Sequence, residues 1–272
     1  MKAVNYRELS KQYPLKRALI TGAGSGLGLE LTKLLLNDGW CVAALDIHVQ
    51  ALEKQQSALL FISEIDVTNR ASLQQIIDAF CNQQNGIDLL FNNAGVGEGT
   101  LFKDYALKNW DWIIDINLKA VIDATHFVLP YMHKANSGLI VNMASMAGIA
   151  NLPRMSPYNV TKAALISLSE TLNHELCDTD ISVTCVTPTF FQSSIMQHSK
   201  GDPAIISSAS KIVSSSALTS LDAANIILKN LHKKKEFVRF PLSAHTFFYS
   251  RKFIPSLYKK IVRKFLYKRA DA

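Results

Sequence analysis

The feature that most constrains the fold is a series of short apolar segments that alternate with stretches of helical periodicity. The apolar segments span residues 16–20, 41–45, 60–65, 89–92, 139–143 and 181–186. Such alternation is typical of parallel strands joined by crossover helices on both faces of one sheet. The chain has 272 residues, of which 48% are hydrophobic and 19% charged, so it can bury one full core. We therefore predict an α/β fold, a single domain built on a doubly wound parallel sheet.

Polar residues, a glycine and a proline lie at or just after the ends of these segments, namely Gly22, Asp46, Asp66, Asn92, Ser145 and Pro188. In a doubly wound sheet, ligands bind beyond the carboxyl ends of the strands. Because all six residues are predicted at that edge, we expect them to converge on one site.

A glycine-rich turn follows the first apolar segment, where residues 21–28 have the sequence TGAGSGLG. Glycines allow the backbone to approach a pyrophosphate, and the N-terminus of the following helix offers unpaired N–H groups. The spacing is Thr-Gly-x-x-x-Gly-x-Gly and differs from G-x-G-x-x-G. On its own, the turn fits either a nucleotide site or a structural loop.

The second apolar segment ends in Asp46, about where a dinucleotide-binding unit carries an acidic residue for the ribose. A carboxylate there accepts hydrogen bonds from the 2′-hydroxyl of NAD and repels the 2′-phosphate of NADP. Neither Ser25 nor Ile47 is basic, so nothing nearby favours NADP. We expect NAD to be the cofactor, with NADP less favoured; the alternative for Asp46 is a solvated loop position.

Tyr158 and Lys162 are four residues apart, which places them on one face of a helix. Ser156 and Pro157 resemble an N-cap and a proline at the first helical position, so the pair is predicted in the first turns. A nearby cation favours the phenolate and lowers the pKa of the phenol, which suits it to general acid–base chemistry. Taken alone, Tyr-x-x-x-Lys also fits an ordinary helix edge.

Together these motifs resemble the short-chain dehydrogenase/reductase family over residues 14–240. The resemblance rests on the glycine turn, on the sequence NNAG at 92–95, on Ser145, and on Tyr158 with Lys162. It implies a Rossmann-like fold and an active site in which Ser145 bonds the substrate oxygen and Tyr158 exchanges the proton. It also implies that Lys162 binds the nicotinamide ribose and lowers the tyrosine pKa. Asn117 matches the family asparagine that holds a proton-relay water.

The same resemblance implies the cofactor site. Asp66 and Val67 would hold the adenine, while Asn92, Ala94 and Gly95 would line the cofactor and steady the sheet. The full predicted set of cofactor-binding residues is Gly22, Ser25, Gly26, Leu27, Gly28, Asp46, Ile47, Asp66, Val67, Asn93, Ala94, Gly95, Tyr158, Lys162, Pro188 and Ser193.

The chain departs from the family pattern after the sixth apolar segment, where Thr189 follows Pro188 in place of the usual glycine. Thr189 cannot adopt the left-handed conformations open to glycine, so the loop path is expected to differ. Ser193 keeps a hydroxyl that could bond the nicotinamide carboxamide. Residues 190–217 are rich in serine and weakly periodic, and we predict that they form a mobile substrate lid, or else a long surface loop.

These features predict an NAD(H)-dependent oxidoreductase that interconverts a secondary alcohol and a ketone. The substrate is expected to be apolar because Phe190 and Phe191 occupy the predicted lid and the tail is aromatic. One alternative is an NADPH-dependent carbonyl reductase. Another is a non-catalytic regulatory or membrane-scaffold protein that binds a cofactor.

Other sequence features exclude several classes of protein. The four cysteines form no C-x-x-C pair and the seven histidines show no metal-ligand spacing, so we expect buried free thiols and no metal site. No apolar run approaches 18 residues and the first 14 residues are polar, so a cytoplasmic location is expected.

The basic residues are concentrated in the tail. Residues 237–272 contain nine basic residues and one acidic residue, against a formal net charge of +7 for the whole chain. Apolar residues recur there at helical spacing, at Ile254, Leu257, Tyr258, Ile261, Val262 and Phe265, with Lys259, Lys260, Arg263 and Lys264 on the other face. We therefore divide the chain into a catalytic domain at 1–240 and a basic amphipathic extension at 241–272.

The extension has two interpretations. It fits a helix that lies on an anionic membrane, and it also fits a helix packed on the protein itself. Nucleic acid is not an expected partner, because no recognised binding module accompanies the charge. The tail lacks the Asp-Gly-Gly pattern common in tetrameric relatives, so a homodimer is expected.

Overall fold

The computed structural model describes residues 6–267, which form twelve α-helices, nine strands and three short 3-10 or π-helical turns. The helices are α1 Arg7–Gln12, α2 Gly26–Asn37, α3 Gln50–Glu53, α4 Arg70–Gln83, α5 Leu107–Ile114, α6 Ala120–Ala135, α7 Ala147–Ala150, α8 Ser156–Glu175, α9 Pro203–Ser214, α10 Ser220–Leu231, α11 Leu242–Phe253 and α12 Pro255–Tyr267. The strands are β1 Arg17–Thr21, β2 Cys41–Asp46, β3 Leu60–Glu64, β4 Leu89–Asn92, β5 Glu98–Gly99, β6 Gly138–Met143, β7 Ile181–Pro188, β8 Lys200–Gly201 and β9 Phe237–Phe240.

Seven of the strands form one parallel sheet in the order β3-β2-β1-β4-β6-β7-β9. The order reverses direction between β1 and β4, which is the switch point of a doubly wound sheet. The predicted fold class is therefore confirmed, and all six predicted strands are present with ends within two residues of those expected. The two-residue strands β5 and β8 pair separately beyond the edge of the main sheet.

Side chains alternate between two cores along each central strand. Ala18 and Ile20 of β1 pack into the core that contains α2 and α10, whereas Leu19 packs into the core that contains α4 and α6. All five residues of β1 are buried. Burial on both faces explains why the strands appear in the sequence as continuous apolar runs without polar alternation.

Besides the short strands β5 and β8, the sequence-based prediction lacks strand β9 and helix α9. Strand β9 extends the sheet beyond β7, although its sequence, FVRF, is short and contains a charge. Helix α9 occupies twelve residues of the segment that we predicted as an irregular lid. Its N-cap, Asp202, accepts hydrogen bonds from the N–H groups of Ala204 and Ile205, and Pro203 occupies its first turn. Asp-Pro is a recognised helix start, so this signal was available in the sequence.

The start of α8 also differs in detail from the prediction. Ser156 is the first helical residue and Met155 occupies the N-cap position, with no side-chain capping bond. Pro157 lies in the first turn as expected, and Tyr158 and Lys162 follow within the first two turns.

A buried ion pair joins β1 to β4 at the edge of the sheet opposite the predicted site. The backbone N–H and the Nε of Arg17 donate to Oδ2 of Asp88 at 2.9 and 3.0 Å, and its second terminal nitrogen donates to Oδ1 at 2.8 Å. Both residues are 5% exposed. Because three donors converge on one carboxylate, removing the charge of Asp88 leaves a buried guanidinium without its partner.

The C-terminal extension consists of α11 and α12. Tyr258 of α12 is buried, and its hydroxyl donates to the carbonyl of Ala150 at 2.8 Å. This part of the extension therefore packs on its own chain. Among the apolar and basic tail positions used in the prediction, the side chains of Ile261, Arg263, Lys264 and Phe265 lie outside the described residues. Over residues 6–267, no helix is both long enough and apolar enough to cross a membrane.

The ion pair gives a first prediction. Asp88→Asn should lower the free energy of unfolding by roughly 3–5 kcal/mol, the usual cost of leaving a buried charge unpaired. Urea denaturation followed by circular dichroism measures this change. The matched control is Glu8→Gln, which removes the carboxylate from an exposed pair with Lys11 and should have little effect. Equal losses in the two variants would show that the Arg17–Asp88 pair does not stabilise the sheet.

Candidate active site

A cavity of about 1700 Å³ lies along the carboxyl edge of the sheet, as predicted. It exceeds the roughly 300–1,000 Å³ of a typical single-ligand pocket, so it has room for a dinucleotide and a substrate together. Most of the predicted cofactor residues line it: Gly22, Ser25, Leu27, Asp46, Ile47, Asp66, Val67, Asn93, Ala94, Gly95, Tyr158, Lys162, Pro188 and Ser193. Ser145 of the predicted catalytic set lines it as well.

The glycine turn between β1 and α2 has a conformation that requires glycine at several positions. Gly22 has φ +65° and Gly26 has φ +49°, both in the left-handed region. A Cβ on Gly22 would lie 2.7 Å from Cα of Ala94, and one on Gly28 would collide with the carbonyl of Gly22. Gly26 and Gly28 do not line the cavity themselves. Gly28 lets α2 start close against the turn, and Gly26 leaves room for Ser194. The N-terminus of α2 borders the cavity at Ser25 and Leu27.

Asp46 at the end of β2 holds two loops in place. Its Oδ2 accepts a hydrogen bond from the N–H of Gly24 at 2.7 Å, and its Oδ1 accepts one from the N–H of His48 at 2.9 Å. The carboxylate thus lies beside the glycine turn, where a ribose next to the pyrophosphate would be placed. Ile47 is 49% exposed and adds no charge.

The two neighbouring asparagines after β4 have different positions. Asn93 lines the cavity, and its amide nitrogen donates to the carbonyls of Thr21 and Gly22 at 3.0 and 2.8 Å. Asn92 was expected to line the cofactor as well, but it is 1% exposed and lies outside the cavity wall. Its amide nitrogen donates to Thr125 and to Asn142, so it ties β4 to α6 and β6.

Asn117 lies behind the cavity in a π-helical turn, Asp115–Lys119, that links α5 to α6. Its amide bonds both backbone groups of Val96, accepting from the N–H at 2.8 Å and donating to the carbonyl at 2.9 Å. Its Oδ1 would also lie 3.3 Å from a Cβ on Gly95. Asn117 therefore fixes the loop after β4. π-Helical turns, like the one that contains Asn117, are frequent at functional sites.

Ser145, Tyr158 and Lys162 converge where β6 and α8 meet. The ammonium of Lys162 lies 5.6 Å from the centre of the Tyr158 ring and donates to the carbonyl of Met143 at 2.6 Å. Ser145 follows β6 directly, and its hydroxyl accepts from the N–H of Ala147 at 3.1 Å. A Cβ on Gly148 would lie 2.5 Å from the nitrogen of Ala163, so Gly148 allows α7 to pack tightly on α8.

Burial controls the protonation of this cluster. Burial raises the pKa of Tyr158 to about 12, and a hydrogen bond from Ser145 opposes that rise. Burial also lowers the pKa of Lys162 to about 8. The expected lowering of the Tyr158 pKa by Lys162 is not seen, because burial is the largest influence on both groups and disfavours the charged form of each.

The segment after β7 borders the cavity as predicted, but it is largely helical. Thr189 takes an ordinary backbone conformation, with its N–H bonded to the carbonyl of Phe240. Ser194, which the sequence analysis missed, bonds the hydroxyl of Ser25 at 2.8 Å. The ring of His198 lies 5.5 Å from that of His48. This segment thus covers the cavity from the glycine turn to the end of β2.

The C-terminal extension also contributes to the cavity, which the sequence did not predict. Ser243 and Phe247 of α11 and Val262 of α12 line it. No local motif marks these residues, since their position depends on how α11 and α12 dock on the rest of the chain.

Two further predictions concern cysteines and metals. Cys81 and Cys185 are buried as expected and Cys41 is partly buried, but Cys177 is exposed. Within residues 6–267, no cluster of three or more histidine, cysteine or acidic side chains is placed to hold a metal ion.

Comparison with known proteins identifies the family. Residues 16–204 match the model of the short chain dehydrogenase family, well over half of the chain. The chain belongs to this family. It is therefore an oxidoreductase of the short-chain dehydrogenase type, and its fold agrees with the resemblance found in the sequence.

Individual relatives have related activities. The 3-oxoacyl-(acyl-carrier-protein) reductase of Thermotoga maritima is 34% identical over 184 residues, which cover 65% of this chain and 75% of that protein. The cyclohexanol dehydrogenase of an Acinetobacter species is 29% identical over 195 residues, covering 69% and 78%. A Burkholderia phymatum short-chain dehydrogenase solved in complex with NAD has a TM-score of 0.83 and 26% identity, and the alignment covers 89% of this chain and 94% of that one.

The buried lysine leads to a prediction about stability. In the unfolded chain Lys162 has its ordinary pKa of 10.5, but in the folded protein burial lowers the pKa to about 8. Charged Lys162 therefore lowers the free energy of unfolding. This loss of stability disappears as the pH rises from about 8 towards 10.5, because the folded protein then holds Lys162 in its neutral form. The free energy of unfolding should rise from pH 8 to pH 10 by about 2 kcal/mol relative to Lys162→Met.

Urea denaturation of both proteins at several pH values measures this difference. The control is Lys229→Met, an exposed lysine on α10 whose removal should leave the pH dependence unchanged. Parallel curves for the wild type and Lys162→Met would show that burial does not shift the titration of Lys162.

Proposed function

We propose that the protein transfers hydride between NAD(H) and an apolar secondary alcohol or ketone, with Tyr158 as the general acid–base residue. The observation that carries this proposal is the placement of Ser145, Tyr158 and Lys162 in one cavity that also contains the glycine turn. A nicotinamide cofactor supplies the hydride. The chain supplies the proton, the orientation of the substrate oxygen and the binding surfaces.

The glycine turn supports binding of a dinucleotide. Gly22 and Gly26 have positive φ, and added side chains there would collide with Ala94 and Ser194, so the backbone stays open to a pyrophosphate. Asp46 would accept hydrogen bonds from the adenosine ribose. Asp66 and Val67 line the same end of the cavity and would hold the adenine.

The residues around the reacting centre have separable roles. Tyr158 is protonated at neutral pH, so it could donate a proton to a carbonyl oxygen during reduction. Burial raises its pKa, which disfavours the phenolate that the reverse reaction, alcohol oxidation, would need. Ser145 can donate a hydrogen bond to the same oxygen and orient it. Lys162 would bind the nicotinamide ribose, and Asn117 would position the loop after β4.

The cavity wall supports an apolar substrate. Met146, Leu152 and Phe190 line it, as do Ile205 and Ile212 of α9. The similarity to a cyclohexanol dehydrogenase is consistent with a secondary alcohol that has a hydrocarbon ring or chain. The alternative of a non-catalytic protein is disfavoured because the chain belongs to a family of oxidoreductases and because Ser145, Tyr158 and Lys162 line one cavity.

Tyr158→Phe should reduce kcat by roughly 10²–10⁴-fold and leave cofactor binding nearly unchanged, because the ring stays and only the exchanging proton is lost. Steady-state kinetics on a panel of secondary alcohols and ketones, with fluorescence titration of NADH, tests this. The control is Tyr131→Phe on α6, whose hydroxyl bonds Asp78 away from the cavity. If Tyr158→Phe kept more than about a tenth of the activity, another group would be the proton donor.

We also propose that NAD is preferred over NADP, because the Asp46 carboxylate would repel a 2′-phosphate. Asp46→Ala combined with Ile47→Arg should shift the preference towards NADPH at least about tenfold, equivalent to ~1.4 kcal/mol. Asp46→Asn is the matched control, since it keeps an acceptor for the N–H of Gly24 and removes only the charge. A wild-type protein that already prefers NADPH would support the carbonyl-reductase alternative and refute the role of Asp46.

Peripheral contact with an anionic membrane through α11 and α12 is proposed as well. Lys252, Lys259 and Lys260 are exposed, next to exposed apolar residues of the same helices. The predicted cytoplasmic location and homodimer stay predictions.

A further inference from the structure

The C-terminal extension has two surfaces with different environments. On its inner side, Phe247 of α11 and Val262 of α12 line the catalytic cavity. On its outer side, the same helices present large apolar residues to solvent. Helices α11 and α12 therefore lie between the predicted substrate site and solvent.

The inner side is fixed to the segment that follows Ser145. The hydroxyl of Tyr258 donates to the carbonyl of Ala150 at the end of α7. When the Asn151 amide is oriented with its oxygen towards α11, this oxygen accepts hydrogen bonds from the two terminal nitrogens of Arg251 at 3.1 and 3.2 Å. These bonds place the wall beside the position where the substrate oxygen would lie.

The outer side combines apolar and cationic groups. Leu242, Tyr249 and Phe253 lie seven and then four residues apart, so they share one face of α11, and they are 81%, 52% and 68% exposed. Tyr249 and Phe253 stack with their ring centres 6.0 Å apart. The ammonium of Lys252 lies 5.7 Å from the centre of the Phe253 ring. Ile254 and Leu257 continue the exposed apolar surface at the start of α12.

We propose that this outer face docks on an anionic membrane and that the substrate, a membrane-dissolved long-chain secondary alcohol or ketone, enters the cavity past α11 and α12. The proposal rests on the proposed function and specifies its substrate. The cavity wall and the docking face belong to the same helices, so a molecule leaving the lipid would reach Ser145 and Tyr158 without crossing water.

Charge favours a membrane over a second copy of the chain as the occupant of this face. Lys252, Lys259 and Lys260 are exposed on these helices, and residues 242–267 include no acidic residue. Two such faces would repel each other, whereas anionic lipid complements them, with each basic residue near the surface adding to the attraction.

The test uses the full chain, NAD(H) and vesicles of phosphatidylcholine with 0–40% phosphatidylglycerol. Lys252, Lys259 and Lys260 are changed together to Gln. The matched control changes Lys233, Lys234 and Lys235 to Gln, which removes the same charge from another exposed surface. Vesicle binding should weaken about a hundredfold in the first variant at low salt, and only a few-fold in the control.

Two substrates separate docking from catalysis. Turnover of 2-hexadecanol carried in the vesicles should fall at least tenfold in the first variant, while kcat/KM for soluble cyclohexanol stays within about twofold. The double variant Tyr249→Ser, Phe253→Ser should likewise lose turnover of 2-hexadecanol and keep that of cyclohexanol. Its control is the double variant Leu15→Ser, Leu107→Ser, which changes two leucines exposed elsewhere on the protein. Phe247→Trp, which narrows the cavity wall, should lower the ratio of kcat/KM for the long over the short alcohol about tenfold.

Several results would overturn the proposal. Equal loss of vesicle binding in the two lysine variants would show that vesicles bind through the net charge of the protein and not through α11 and α12. Unchanged turnover of the vesicle-borne alcohol after loss of vesicle binding would show that the substrate does not enter from the membrane. An unchanged ratio of kcat/KM in Phe247→Trp would show that Phe247 does not contact the long substrate. Conversion of a dimer to a monomer by Tyr249→Ser with Phe253→Ser would assign the face to self-association. A wild-type protein that oxidises cyclohexanol but not the vesicle-borne alcohol refutes this inference alone, whereas one that oxidises neither refutes the proposed function too.

Discussion

The architecture depends on the parallel pairing of strands that are buried on both faces. Parallel strands cannot be joined by tight turns, so each is followed by a crossover that returns the chain to the same end of the sheet. The carboxyl ends of β1, β2, β4, β6 and β7 consequently lie at one edge, and the residues that follow them share one cavity. The chemistry of the site follows from this arrangement, because residues more than 130 positions apart in sequence become neighbours.

Within that edge, desolvation is the dominant electrostatic effect. Tyr158 and Lys162 are held close together in a site where burial disfavours the charge of each. The lysine keeps a bond to the carbonyl of Met143, which compensates part of the cost of its burial. The stability lost at Lys162 thus accompanies its position beside Tyr158, the proposed acid–base residue, and perturbed pKa values are common at functional sites.

The sequence predicted the sheet and the glycine turn well because local patterns determine both. Apolar runs mark buried strands, and Gly22 and Gly26 occupy backbone conformations that other residues rarely adopt. Features set by distant contacts were not predictable. The direction of the Tyr158 pKa depends on burial, strand β9 depends on the exposed edge of β7, and the role of Phe247 depends on the docking of α12. Helix α9 is different, since Asp202 and Pro203 marked its start and only the weak apolar periodicity that follows obscured it.

Strand β9 has a consequence for how the cavity opens. It is a four-residue strand at the end of the sheet, paired with β7, and it is directly followed by α11 and α12. A short edge strand has few bonds to break, so it belongs to the least protected part of a domain. If β9 detaches, the wall formed by the two helices loses its attachment to the sheet, while the glycine turn between β1 and α2 is unaffected. The wall at one end of the cavity is therefore attached to the sheet through a short edge strand, whereas the glycine turn at the other end follows the central strand β1.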